Sequence, residues 1–268
     1  MTIARQCTSK THSCQCHNRR YMKTKIIELD VTDSTNRFLH DYVPEADEDI
    51  VVAVAQYQTA GRGQACNSWE SEPGQNLLFS ILAHPAEVPP SRQFVISMAM
   101  AVALKDSLTQ ITGSGISIKW PNDIYWHDKK ISGTLIETAV CRQGIRRCII
   151  GTGINVNQGT FLSDAPNPVS LRNIMGHEVE RRPVLDGIIA RFRHNMGMIE
   201  RGDIHTLTAM YHSALYRREG FHAYSDANGE FEAETVGVEE SGRLLLRDTE
   251  GMLRKYFFKE VKFIINNK

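Results

Sequence analysis

No run of apolar residues in this chain approaches the roughly 18 that a membrane-spanning helix needs, so the sequence predicts no membrane partner. A surplus of one charge is also missing. The 31 Lys and Arg balance 31 Asp and Glu to a formal net charge of zero, which argues against a basic face for phosphate backbones and predicts no nucleic-acid partner. Cysteine is sparse and badly placed for a disulfide framework. Three of the six fall before residue 23, and Cys66, Cys141 and Cys148 are scattered, as suits free thiols in a reducing cytoplasm. No internal repeat is visible. The first residues lack the apolar h-region of a secretory signal.

What is present is enough for one large core and a smaller domain: 268 residues, 41% of them hydrophobic. Residues 1–22 are polar and basic, and carry His12, Cys14, Cys16 and His17. The Cys14-Gln15-Cys16 spacing is too tight for a tetrahedral zinc pair, so this stretch reads as a disordered extension, with Met22 an alternative beginning.

From Lys25 to Asp30 the chain predicts a strand, and Asp33 or Ser34 is placed to cap a helix over residues 36–42. Strands are expected at 50–55, 76–83, 117–120, 133–139 and 148–155, and helices at 92–110, 184–200 and, more weakly, 204–215. Strands before, between and after helices predict an α+β domain over 23–216, a mixed β-sheet backed by helices. Past Arg217, short apolar runs separated by Asp-Ala-Asn-Gly, Glu-Ser-Gly and Glu-Gly turns predict a small β-barrel over 217–268.

Four junctions beside these elements carry the polar and glycine residues from which a shared pocket can be built. The strand at 50–55 leads into Gln58, then Gly61-Arg62-Gly63, a polar run and Trp69. An arginine between two glycines can lay its guanidinium on a phosphate or carboxylate. No GK[ST] follows, so this is not a Walker loop, and the third glycine of a dinucleotide fingerprint is missing. Ser34-Thr35-Asn36, Lys119-Trp120-Pro121-Asn122-Asp123-Ile124 with Lys130-Ile131-Ser132-Gly133, and Gly151-Thr152-Gly153-Ile154-Asn155 complete the set. Each has a plainer reading: a helix cap, a surface lysine, a tied-down Pro-Asn turn, or a strand bulge at the glycines.

These motifs in this order, from about Lys25 to the C-terminus, resemble the biotin–protein ligases. The resemblance implies a class II synthetase-like catalytic domain that uses ATP and biotin as substrates, with Mg2+ expected. It implies activation of biotin as biotinyl-5'-AMP, then transfer to a lysine of a biotin carboxyl carrier protein. On the matching positions, Lys119 and Arg62 would be catalytic. Ser34, Thr35, Asn36, Gln58, Gly61, Arg62, Gly63, Gln64, Lys119 and Gly133 would hold biotin, and Arg62, Trp69, Asn122, Lys130 and Asn155 the nucleotide. Two departures fall in the loop. Gln64 stands where a second basic residue is common, and Cys66 where another glycine is. They put retention of the adenylate in question, not the reaction. Some relatives carry an N-terminal DNA-binding domain, for which the residues before the first strand are too few. Such ligases often pair as homodimers through the main sheet. Lipoate–protein ligation and a non-catalytic biotin-binding module are the rival readings.

Overall fold

A computed structural model describes residues 23–46, 48–63, 68–141, 144–162 and 167–265. The first sheet holds seven strands in the order β1-β2-β3-β7-β6-β5-β4. These are β1 (Thr24–Thr32), β2 (Ile50–Gln58), β3 (Leu77–Ala83), β4 (Ile116–Lys119), β5 (Asp123–Trp126), β6 (Lys129–Cys141) and β7 (Gly144–Ile154). Only β1 and β2 pair in parallel; the remaining ladders are antiparallel. Every residue of β3 is buried, the mark of a strand covered on both faces. Its one polar residue, Ser80, therefore needs a partner inside the protein.

One face of this sheet is sealed by three helices, α2 (Phe94–Thr112), α4 (Arg181–Glu200) and α5 (Ile204–Ser213). Gly113, at φ 78°, ends α2 where a side chain would be strained. The segment Pro90–Thr112 is, contrary to the sequence reading, long and apolar enough by length and composition to cross a membrane. Its mean hydropathy of 1.3 is explained by packing: it is the core helix under the sheet, 61% buried. The buried Asn195 of α4 is satisfied by donating to the Ala99 carbonyl of α2 at 2.9 Å. On the opposite face sits α1 (Thr35–Asp41), packing Leu39 onto Val51, Ala53, Leu82 and Ile149. It covers only part of that face. A short helix α3 (Leu171–Met175), capped by Ser170 and Asn173, was not foreseen.

The second sheet is antiparallel, in the order β11-β10-β9-β8-β12: β8 (His222–Asp226), β9 (Gly229–Val238), β10 (Leu244–Asp248), β11 (Leu253–Tyr256) and β12 (Lys262–Phe263). No ladder joins β11 to β12 among the described residues, so a closed barrel is not what the pairing displays.

The two sheets are fastened at the end of β4. The chain leaving α5 pairs with Ile118, whose N–H donates to the Ala214 carbonyl while its own carbonyl accepts from Tyr216 N–H, both at 2.8 Å. Arg217 then donates to the carbonyls of Ala223 and Ile264. Trp120, 4% exposed, sets its ring edge-on to Phe258 and donates Nε1–H to the Gly242 carbonyl at 2.9 Å. Trp120→Phe keeps an aromatic ring but removes that donor and part of the buried indole. It should cost about 2–3 kcal/mol in urea unfolding with the slope unchanged.

Candidate active site

The uncovered part of the α1 face is a row of missing side chains. Registers place Ala53 beside Ser80, Ser80 beside Gly151 and Gly151 beside Leu135; the adjacent row runs Ala55, Leu78, Gly153, Gly133. The ladder is regular at Gly151 and Gly153, so the strand bulge considered from sequence is absent. The glycines instead admit other side chains. A Cβ on Gly151 would lie 2.0 Å from Asn36 Oδ1, and one on Gly153 would lie 2.3 Å from Trp69 Cε2. Above this floor opens a cavity of about 1050 Å3, lined from both sheets.

At one end a hydrogen-bond chain fixes the start of α1. Ser34 occupies the cap position, but its hydroxyl makes no cap bond; the Asp33 carboxylate accepts from Ser34 N–H, from Thr32 Oγ1 and from the Arg37 guanidinium. The capping expected of them is done from β2, where Gln58 Oε1 accepts from Thr35 N–H at 2.7 Å and Thr35 Oγ1 at 3.0 Å. Ser80 Oγ lies 2.6 Å from both Thr35 Oγ1 and Asn36 Oδ1, and Asn36 Nδ2 donates to Glu137 at 2.8 Å. With Oε1 engaged, Gln58 keeps its amide N–H groups for a ligand.

Lys119 ends β4 inside the cavity. Its ammonium sits 5.2 Å from the ring centre of Tyr125 and 4.9 Å from that of Phe263, and makes no ion pair among the described residues. Burial holds its pKa below the usual lysine value; Asp123 pulls it upward, while Lys130 and Arg217 add to the lowering. Asp123, which sequence left between ligand contact and turn brace, is taken by Lys130 at 2.8 Å. Asn122 Nδ2 donates to the Thr134 carbonyl, and Asn155 Nδ2 to the Val169 carbonyl at 3.2 Å, so both amides are held at the cavity wall.

Arg62 is exposed at the cavity mouth, and the loop base is pinched by its bridge to Ser68 and by Trp69 N–H donating to the Gly61 carbonyl at 3.0 Å. The Trp69 ring crosses the Gly133–Gly153 pair with Lys130 Nζ 5.9 Å from its centre, and its buried Nε1 has no partner among the described residues. The indole edge that carries this donor lies against the glycine floor, with Nε1 2.6 Å from where a Gly153 Cβ would be.

Twelve sequence candidates line this one cavity: Ser34, Thr35, Asn36, Gln58, Arg62, Gly63, Trp69, Lys119, Asn122, Lys130, Gly133 and Asn155. Gly61 does not line it; it lies beneath, with Gln58 Nε2 3.3 Å from where its Cβ would be. Gln64 and Cys66 fall outside the described residues. Sequence reasoning passed over Ser80, Glu137, Tyr125 and Phe263. Ser80 alone carried a signal, as the single hydroxyl in an otherwise apolar buried strand.

Comparison with known proteins follows the same outline. A family model described as the biotin/lipoate A/B protein ligase family matches residues 28–155. The chain is 30% identical over 241 residues to the bifunctional ligase/repressor BirA of Bacillus subtilis, covering 88% of this chain and 73% of that protein. It is 27% identical over 233 residues to the biotin–[acetyl-CoA-carboxylase] ligase of Paracoccus denitrificans, covering 82% and 93%. Among solved structures it resembles the biotin protein ligase from Aquifex aeolicus in complex with biotin and ATP, with a TM-score of 0.74, 26% identity, and 90% and 99% coverage.

A cation buried without a carboxylate opposes folding, and the sign can be tested. The lowered Lys119 pKa means that the folded state binds this proton less tightly than the unfolded chain. Lys119→Met should therefore unfold at higher temperature near neutral pH, by an amount of order 1 kcal/mol. The gap should shrink as pH rises through the depressed pKa toward the ordinary lysine value of about 10.4. Calorimetry of both proteins across that range reads it.

Proposed function

This chain belongs to the biotin/lipoate A/B protein ligase family, and from that premise we propose that it is a biotin–protein ligase, acting on the biotin carboxyl carrier domain of a biotin-dependent carboxylase. The observation that carries the reading is the convergence of Lys119 and Arg62, distant in sequence, on one cavity whose floor is cleared by paired glycines.

A carboxylate is a poor electrophile and must first be activated. Biotin's carboxylate oxygen attacks the α-phosphorus of ATP, the bond to the β-phosphate oxygen breaks, and pyrophosphate leaves with its electron pair. The mixed anhydride, biotinyl-5'-AMP, then meets the carrier lysine's neutral amine. The C–N bond forms, AMP departs, and one proton is released. No Ser, Cys or His nucleophile is needed, so the protein's contribution is positioning and charge stabilisation. Lys119 sits against the carboxylate and α-phosphate, where its charge, unshared with any carboxylate, meets the developing negative charge. The chain of Thr35, Asn36 and Gln58 beside Ser34 receives the polar head of biotin. Trp69, Asn155, Asn122 and Lys130 face the nucleotide, and Arg62, with Gly63 beside it at the cavity mouth, meets the adenylate.

Magnesium accompanies ATP in this reading as a counter-ion of its phosphates. Among the described residues no three metal-binding side chains gather, and the cavity carboxylates Asp123, Glu137 and Glu70 already accept from Lys130, Asn36 and Gln158. A protein-made metal cage does not fit here.

The deciding measurement is pyrophosphate release from ATP with biotin, with lipoate, or with neither. Release with biotin alone is expected; release with lipoate alone, or with neither acid, refutes the assignment. Lys119→Ala should slow adenylate formation by at least a hundredfold, from the loss of several kcal/mol of charge stabilisation. Arg62→Ala should chiefly shorten the lifetime of the bound adenylate, read by single-turnover chase. Gly153→Ala should push the Trp69 ring off the floor and weaken ATP binding more than biotin binding in calorimetric titrations.

A further inference from the structure

Lys119 differs from Lys130, its neighbour in the cavity, in what surrounds it. Lys130 has a carboxylate 2.8 Å away; Lys119 has ring faces. One ring, Tyr125, belongs to β5, the antiparallel partner of β4 in the first sheet. The other, Phe263, arrives from β12, the two-residue edge strand of the second sheet, 144 positions further along the chain by their numbering. Phe263 is not held there by the lysine. It packs edge-on against Tyr224 at 5.0 Å and tilts against Tyr216 at 6.2 Å, and Tyr216 in turn lies 5.4 Å from Tyr125. β12 is placed by its ladder to β8, and Ile264, the next residue, accepts from Arg217 at 2.7 Å.

We propose that Phe263 is a positioning residue for Lys119, and that through it the second sheet completes the catalytic centre of the first. This rests on the reading of Lys119 given above. The physics is that of a cation on the face of an aromatic ring. The ring quadrupole returns part of the hydration that the ammonium has lost, without neutralising its charge. A carboxylate in the same place would hold the ammonium more firmly. It would also cancel the charge that an incoming carboxylate and phosphate need. With rings as its neighbours and no ion pair among the described residues, the ammonium keeps its charge for the cavity that it lines. Tyr125 alone supplies one wall; the second wall exists only while the second sheet is docked through Trp120 and Arg217.

The test reads the contact and the chemistry separately. Protein labelled with 13C at the lysine ε-carbon, with the Lys119 signal assigned by its loss in Lys119→Arg, should display ε-protons displaced upfield by ring currents. Phe263→Leu, close in volume but without a π face, should move that signal back toward the other lysines, whereas Phe263→Tyr should keep it. In parallel, Phe263→Leu should lower kcat for biotin-dependent pyrophosphate release roughly fivefold, the loss expected for one partly desolvated cation–ring contact, with KM for biotin unchanged and Phe263→Tyr restoring the rate. If the Leu variant does not fold, Phe263→Met takes its place, since a flexible thioether fills irregular gaps. A wild-type protein that releases no pyrophosphate overturns the proposed function, while the displaced signal still reports the contact. In an active protein, either effect without the other overturns the inference: a moved signal with full kcat leaves the ring idle, and a lowered kcat with the signal in place makes Phe263 merely structural.

Discussion

The site depends on side chains that are not there. On the α1 face, two adjacent strands lack a Cβ at the same register, Gly133 beside Gly153, and one strand lacks it again at Gly151. A sheet face ordinarily fills such space with its own alternate residues. Here the space is lent to groups from elsewhere, the Asn36 amide over Gly151 and the Trp69 indole over Gly153. Helix α1, the glycine-rich loop and the sheet meet at this surface because only there can they approach backbone closely. Adding one methyl group at Gly153 moves a tryptophan, whereas at Gly159 it would meet nothing within 4 Å.

Charge follows a similar logic of reserve. The cavity contains carboxylates, yet each is already engaged: Asp123 by Lys130, Glu137 by Asn36, Glu70 by Gln158 and the Leu162 N–H. Engaged carboxylates do not pair with Lys119, whose pKa burial holds below the usual lysine value. Burying a charge without a partner is costly in general, and such perturbed groups gather where chemistry needs them. The polar chain through Gln58, Thr35, Ser80 and Asn36 is the neutral counterpart. It is nearly closed on itself, which holds a recognition surface rigid before any ligand arrives.

The second sheet belongs to this arrangement. Phe258, Lys259 and residues 261–263 reach the same cavity that α1 borders, and the turn after β4 is clamped by Trp120 on Gly242. Trp120 and Lys119 are chain neighbours with opposite tasks: one anchors the second sheet, the other points into the space that the anchoring encloses.

Local chemistry was legible in the sequence. Apolar runs marked β1, β2, β3 and β7, the periodicity of α2 and α4 was plain, and the glycine and lysine motifs announced most of the residues that line the cavity. Where sequence fell short, the cause was an interaction between distant segments. β5 escaped notice because Asp123-Ile124-Tyr125-Trp126 is short and abuts a proline turn, and its strand character comes from pairing with β4 and β6. Ser34 looked like a cap, but Gln58, 24 positions later by its numbering, supplies the acceptor. Sequence alone determined which residue types, in which order, could bind an acid and a nucleotide, since that is a matter of composition at each junction. Only the tertiary structure decided that Asp123 answers Lys130 while Lys119 faces two rings. Which charge is neutralised and which stays available depends on distances of a few ångströms between groups that the chain order keeps far apart.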